Sequence, residues 1–281
     1  MPILSIQSKV VHGHVGHGAA TLLLERLGHE VWAIDTVVLS NHPGHGRSRG
    51  RATPPEEIGA LVDGLDELGV LPRCRAILSG YLGTAANGEA MLDAVRRVKR
   101  ANPAAIYLCD PVMGDRDGGL YVAVDLPAFF AERAVAAADI VTPNAFELER
   151  LAGGSVATPA DALGAADRIL ALGPKLVIAT GLDGRSEDGI ATAAIGRHGA
   201  WSVESRRIPT AAHGMGDALA ALFLGRHLRG HDTPDALALA VAGVEALVAA
   251  TAAAGADELA LIAAQDQAVA PSRVPTCSRL R

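Results

Sequence analysis

The sequence predicts an α/β fold in three layers, a mostly parallel central sheet with helices on both faces. Three observations lead there. Short apolar runs ending in polar residues or glycine alternate with stretches of helical periodicity along almost the whole chain. The runs are apolar throughout, as strands covered on both faces are. No linker, repeat or low-complexity block divides the 281 residues. They are read as one domain, 1–281, with a flexible loop expected near 41–51.

The strands are expected at Ile3–Gln7, Val31–Val38, Ala76–Ser79, Ile106–Cys109, Ile140–Thr142 and Leu176–Thr180. Helical patterns lie between them, near Gly18–Leu27, Pro55–Leu68, Ala86–Arg100, Leu126–Ala137 and Thr158–Leu172. The last opens with Thr158 as N-cap, Pro159 at the first position and Asp161 in the first turn. Gly189–Ile195 and Ala200–Ser205 read as a hairpin, which makes the sheet mixed at one edge. The apolar run Ala218–Leu224 forms a helix, and Thr233-Pro234-Asp235 starts another that reaches about Thr251.

Hydrophobic residues at 49% and charged residues at 20% supply a large core and exclude a disordered chain. The net charge of −6 argues against a nucleic-acid partner. Cys74, Cys109 and Cys277 are far apart with no C-x-x-C spacing, the pattern of reduced thiols in a cytoplasmic protein. Met1-Pro2 runs straight into a strand, so no signal peptide is expected. Ala236–Ala254 is nearly free of charge, but it is mostly alanine and carries Glu245. It is read as a buried or interface helix, without membrane association.

The most informative stretch is His213-Gly214-Met215-Gly216-Asp217, just ahead of an apolar helix. Glycines allow consecutive N–H groups to converge, and a helix start adds its positive end, a combination suited to phosphate. An acid after such a turn is placed to take a proton from an attacking hydroxyl. By themselves these five residues favour a glycine-rich turn with an ordinary first-turn acid; the rest of the chain changes that balance.

Other chemistry gathers at strand ends, where open α/β sheets bind ligands. Asp110 follows the run ending at Cys109, with Gly118-Gly119 in the next loop. Thr142-Pro143-Asn144 ends another strand, and Asn144 and Glu147 have capping-box spacing. Capping is one explanation for the pair; the other is that Asp110 and Glu147 organise a hydrated Mg²⁺ beside substrate phosphates. Thr180-Gly181 ends the next strand with a turn able to approach a nucleotide, and Ser8 to His14 follows the first.

Taken in order along the chain, these pieces resemble the pyridoxal kinases of the ribokinase superfamily, the vitamin B6 salvage type. The resemblance is carried by Ile6-Gln7-Ser8 with Val10-Val11 and Gly13-His14, by Ser40-Asn41-His42, and by Ser79-Gly80-Tyr81. It continues through Cys109-Asp110-Pro111-Val112-Met113-Gly114, Thr142-Pro143-Asn144, Glu147-Leu148-Glu149, Gly214-x-Gly216-Asp217 and Ala263-Ala264-Gln265-Asp266. It implies a ribokinase-like fold and an ATP- and Mg²⁺-dependent kinase for the 5′-hydroxymethyl group of a B6 vitamer, acting as a cytoplasmic homodimer. It further implies that Asp217 is the general base and that the amides of Gly214, Met215, Gly216 and Asp217 form the anion hole. Asp110, Thr142, Asn144, Glu147, Thr180 and Gly181 fall on nucleotide or metal positions, with Asp110 and Glu147 reaching the metal through water. Thr210, Ala211, Ala212 and His213 match the ATP-contacting segment. Ser8 meets the pyridine edge, Val15, Leu39 and Tyr81 enclose the ring, and Pro43 and Gly44 belong to the same substrate segment.

Several residues depart from the family pattern. Met215 stands in place of a small residue or valine, Pro43 of a threonine, His45 of a tyrosine, His17 of an asparagine and Leu39 of an aromatic residue. The departures cluster around the acceptor, which leaves two alternatives: a hydroxymethylpyrimidine kinase of the same fold, and a weakly active pyridoxal phosphate-binding protein. His12, His14 and His17 lack the further ligands that a zinc site needs. Arg47, Arg49 and Arg51 mark either a solvated loop or a flap that closes over ATP. No G-x-x-x-x-G-K-[ST] motif occurs, which excludes a P-loop kinase.

Overall fold

The computed structural model describes residues 1–281. β1 (Ile3–His12) leads through α1 (His17–Arg26) to β2 (Val31–Asn41). A 3-10 turn (Pro43–His45), β3 (Gly50–Ala52), α2 (Pro55–Glu67), β4 (Ala76–Ser79), α3 (Ala85–Ala101) and β5 (Ile106–Cys109) follow. The short hairpin of β6 (Gly114–Asp115) and β7 (Gly119–Leu120) precedes α4 (Leu126–Phe129), a π turn (Phe130–Ala134) and α5 (Val135–Ala137). The chain then forms β8 (Ile140–Val141), α6 (Ala145–Ala152), α7 (Pro159–Leu172) and β9 (Leu176–Asp183). It ends with β10 (Gly189–Gly196), β11 (Gly199–Arg206), α8 (Met215–Leu228), α9 (Thr233–Ala254), α10 (Leu261–Val269) and β12 (Cys277–Arg279).

Ten strands make one sheet in the order β12-β11-β10-β9-β8-β5-β4-β1-β2-β3. The run from β9 to β2 is parallel. Antiparallel pairs lie at both margins, β9–β10–β11–β12 on one side and β2–β3 on the other. The sequence pattern had placed them at one edge only. Gly50-Arg51-Ala52 is exposed and carries no apolar alternation, so only its pairing with Val37–Leu39 makes it a strand.

Side chains alternate across the sheet as the two-residue strand period requires. Leu4, Ile6, Ile77, Tyr107, Cys109, Val177 and Ala179 face the layer of α2 to α7. Ile3, Ala76, Leu78, Leu108 and Ile178 face α1, α8, α9 and α10. In α8 every residue from Ala218 to Arg226 is buried, because α1 and α9 pack against it and leave no solvent face. α9 is long and apolar enough by composition to cross a membrane, yet Leu237, Ala240, Val241 and Leu247 are buried against the sheet and its neighbouring helices. α7 begins as its cap predicts: Asp161 N–H donates to Thr158 Oγ1, and the Asp161 carboxylate accepts from Thr158 N–H at 2.9 Å.

Three strands outrun their expected ends, at Gln7, Val38 and Thr180, by three residues or more. β1 continues to His12 because its pairing with β2 resumes after an irregularity beyond Gln7, matching Lys9 with Val38 and His12 with Asn41. Ser8 and Thr180 therefore lie within strands. The chain passes from β1 outward to β2, then returns to β4 on the other side of β1. That reversal is a topological switch point, and open α/β sheets take ligands in the crevice beside such a point, here at the carboxyl ends of β1 and β4.

Candidate active site

Gly214 precedes α8 in the left-handed region, at φ 93°. A Cβ there would also overlap the His14 carbonyl oxygen, so the position requires glycine on two counts. No side chain caps α8. The N–H groups of Met215 and Gly216, with the positive end of the helix behind them, therefore remain free to receive an anion. The Met215 side chain is partly buried and packs against the core around α8.

Asp217, in the first turn of α8, lies near the Gly16 N–H at the start of α1. Burial raises its carboxyl above the ordinary range, while the Gly16 N–H and nearby His17 pull it back down. Gly16 gave no signal in the sequence beyond being one of many glycines. His17 is buried; its Nδ1 lies 2.6 Å from Asp35 Oδ1 and its Nε2 3.0 Å from Ser5 Oγ. Both ring nitrogens are thus engaged within the fold.

Asp110 follows β5 and accepts from Thr142 Oγ1 at 3.0 Å. Its carboxyl is pushed well up, first by burial, then by the charges of Glu147 and Asp217. Glu147 realises the capping box: Oε2 accepts from Asn144 N–H and Asn144 Oδ1 from Glu147 N–H, both at 2.9 Å. Its Oε1 accepts from Met113 N–H at 2.8 Å, which ties the start of α6 to the loop after β5. Burial pushes Glu147 up to about 7 against the pull of these donors. Capping thus accounts for part of this carboxylate, and the neighbouring acids for the rest. Asn144 also holds Gly114 O through Nδ2 at 2.8 Å and bridges to Thr180 in β9. Gly181 beside it has φ 68°.

Buried acids whose strongest charged neighbours are other acids suit a divalent cation, and the oxygen donors present suit Mg²⁺. No group of three or more His, Cys, Asp or Glu side chains is close enough to hold an ion directly. One or two carboxylates acting through water, with phosphates completing the shell, is the arrangement these residues fit. Asp110→Asn and Glu147→Gln are expected to raise the Mg²⁺ concentration needed for half-maximal rate by about tenfold or more. A Mg²⁺ titration of the initial rate that superimposes on the wild type would make both residues caps or core acids.

Of the residues assigned to the acceptor, Ser8 and Val15 are buried, Leu39 and Tyr81 are partly so, and Pro43 and Gly44 are exposed on the 3-10 turn after β2. His42 accepts from Gly44 N–H at 3.1 Å, and its ring lies 4.1 Å from that of His213. Burial and His213 lower His42 to about 4, so it is neutral near pH 7. The segment from Thr210 to His213 has no regular structure; Ala212 N–H donates to Thr210 Oγ1 at 3.1 Å. Around the α8 turn, Gly216 lies against Asp110, Gly214 against the His14 carbonyl and Gly44 against the His213 ring.

Comparison with known proteins agrees with this geometry. The profile of the family described as phosphomethylpyrimidine kinase matches residues 69–261. Pyridoxal kinase PdxY of Rubrobacter xylanophilus is 49% identical over 272 residues, 96% of this chain and 94% of that one. The chain belongs to the pyridoxal kinase family. Pyridoxal kinase PdxY of Deinococcus radiodurans is 44% identical over 99% of this chain and 96% of its own. The structure of pyridoxal kinase from Leishmania donovani in complex with ADP and pyridoxamine superposes with a TM-score of 0.94. That pair shares 27% identity and covers 100% of this chain and 99% of the other. The central parallel sheet with helices on both faces is therefore the ribokinase-like fold of this family.

Proposed function

We propose that this protein transfers the terminal phosphoryl group of ATP to the 5′-hydroxymethyl group of pyridoxal, in pyridoxal 5′-phosphate salvage. The observation that carries the reading is Asp217 in the first turn of α8, whose start no side chain caps, with Gly16, which packs on Ser8, close by. Ser8 holds the pyridine edge, and Val15, Leu39 and Tyr81 enclose the ring, so that the hydroxyl faces Asp217. Asp217 takes the hydroxyl proton as the oxygen–phosphorus bond forms and the bond to ADP breaks. The amides of Gly214 to Asp217 receive the charge on the moving phosphoryl. Thr210 to His213, Asn144, Thr180 and Gly181 hold the nucleotide. Mg²⁺, when bound near Asp110 and Glu147, neutralises phosphate charge. Assay of ATP consumption with pyridoxal, pyridoxamine, pyridoxine and hydroxymethylpyrimidine tests the reading; no turnover of any B6 vitamer refutes it.

Hydroxymethylpyrimidine is the second reading, favoured by the description of the matching family profile and by Pro43 and Leu39 in the acceptor segment. Pro43 supplies neither a hydroxyl nor an N–H. Pro43→Thr is expected to lower the KM for pyridoxal about three- to twelvefold, one neutral hydrogen bond, with kcat little changed. An unchanged KM, together with faster turnover of hydroxymethylpyrimidine, would replace the first reading by the second.

We further place the enzyme in the cytoplasm as a homodimer without membrane or nucleic-acid partners. The alanine-rich faces of α9 and α10 support close packing between copies, and burial raises Cys74 to about 11 and Cys109 to about 12, which keeps both as thiols. Light scattering is expected to give twice the 28.8 kDa chain mass at micromolar concentration; the mass of one chain would contradict it.

A further inference from the structure

Glu258 lies in the link between α9 and α10, outside every motif discussed above. Its side chain is only 13% exposed. Oε1 accepts from His45 Nε2 at 2.6 Å, and Oε2 accepts from the His14 backbone N–H at 2.9 Å. Asp257 adds a longer approach, 3.7 Å from His45 Nδ1. One carboxylate thus joins three segments: the turn after β2, the turn between β1 and α1, and the α9–α10 link. The first carries Pro43 and Gly44. The second carries Val15 and the Gly16 N–H that meets Asp217. The anchor itself is fixed, because Leu259 is buried next to Gly214.

The other restraints on the turn after β2 differ in kind. Its base is closed by Ser40 N–H to Arg49 O at 2.6 Å and Arg49 N–H to Ser40 Oγ at 2.9 Å. Its tip is closed on itself by Gly46 N–H to Pro43 O at 2.9 Å. His42 touches the body through the ring of His213. The link from the tip of the turn to a carboxylate of the body runs through His45 to Glu258.

We propose that Glu258 is a positioning residue for the phosphoryl acceptor: through His45 and His14 it anchors both walls of the acceptor crevice to one point. The proposal rests on the pyridoxal kinase reading for the identity of the acceptor. A wall already held in place requires no ordering when substrate arrives, so loss of the anchor falls on acceptor affinity. Asp217 and the α8 amides keep their own supports, so the chemical step is spared.

Glu258→Gln keeps an oxygen for His14 N–H and removes the charge that pairs with His45. It is expected to raise the KM for pyridoxal roughly tenfold, the scale of one hydrogen bond to a charged group. The KM for ATP and kcat stay within about twofold, because His14 N–H keeps its acceptor and His42 its contact with His213. His45→Ala reproduces the effect, and the double variant adds little to the larger single one, as a shared contact demands. An unchanged pyridoxal KM in both variants, additive effects, or a parallel rise in the KM for ATP would each overturn the proposal. His45→Ala alters an exposed turn and decides the matter by itself if Glu258→Gln fails to fold. Hydrogen exchange supplies a readout free of any substrate: amides of residues 44–46 are expected to exchange faster in both variants. Unchanged exchange would overturn the anchor, whereas absence of pyridoxal turnover by the wild type would overturn only the identity of the acceptor.

Discussion

Asp217→Asn is expected to lower kcat by about 10²–10⁴-fold, the usual contribution of a general base, while ATP binding stays nearly intact. The amide keeps the shape and an oxygen to face the Gly16 N–H, so the N-terminus of α1 and the α8 turn hold their places. Only the proton acceptor is removed. The pH profile gives a second check. Burial raises the Asp217 carboxyl above the ordinary range, and the base must be ionised to act. Wild-type kcat therefore falls as pH drops through that raised value and is full above it; the residual activity of the variant lacks this limb. Steady-state kinetics showing a loss below about threefold would remove Asp217 from the role.

Gly214→Ala is expected to have an effect of similar size, by a different route. A left-handed φ of 93° is costly for alanine, and the new methyl group meets the His14 carbonyl oxygen, which belongs to fixed backbone. The turn relaxes, and the Met215 and Gly216 amides lose their aim at the phosphoryl group. Loss of one such donor costs about 10²–10³-fold in kcat. The strain itself costs about 1–3 kcal/mol of stability. Thermal unfolding measured with the kinetics separates the two: a folded variant with kcat within about threefold of wild type would mean that the turn is structural and not an anion hole.

The regular part of the architecture was legible because burial writes itself into composition. β4 and β5 are apolar but for the closing Ser79, since helices cover both faces of the sheet, and their observed bounds coincide with the expected ones. The cap of α7 was legible for a local reason: Thr158 and Asp161 satisfy each other within one turn. The order of short motifs along nearly the whole chain, from Ile6-Gln7-Ser8 to Ala263–Asp266, was enough to place the protein in its family. The sequence by itself therefore determined the layers, the family and the residue types that could do the chemistry.

What only the tertiary structure decided is which groups meet. β3 and the extension of β1 to His12 exist through backbone pairing, which any side chain permits and no pattern announces. Glu147 proved to be both a cap and a clasp on Met113 N–H, a contact across 34 positions that its capping spacing did not reveal. Gly16, Asp35 and Glu258 carried no signal at all. Each acts through a partner distant in sequence: Gly16 through Asp217, Asp35 through His17, and Glu258 through His45 and His14. Local propensity and apolar period act over a few residues, whereas a hydrogen bond or ion pair depends on distance in space. The choice of elements was set in the sequence, and the partners of the polar groups were set by the fold.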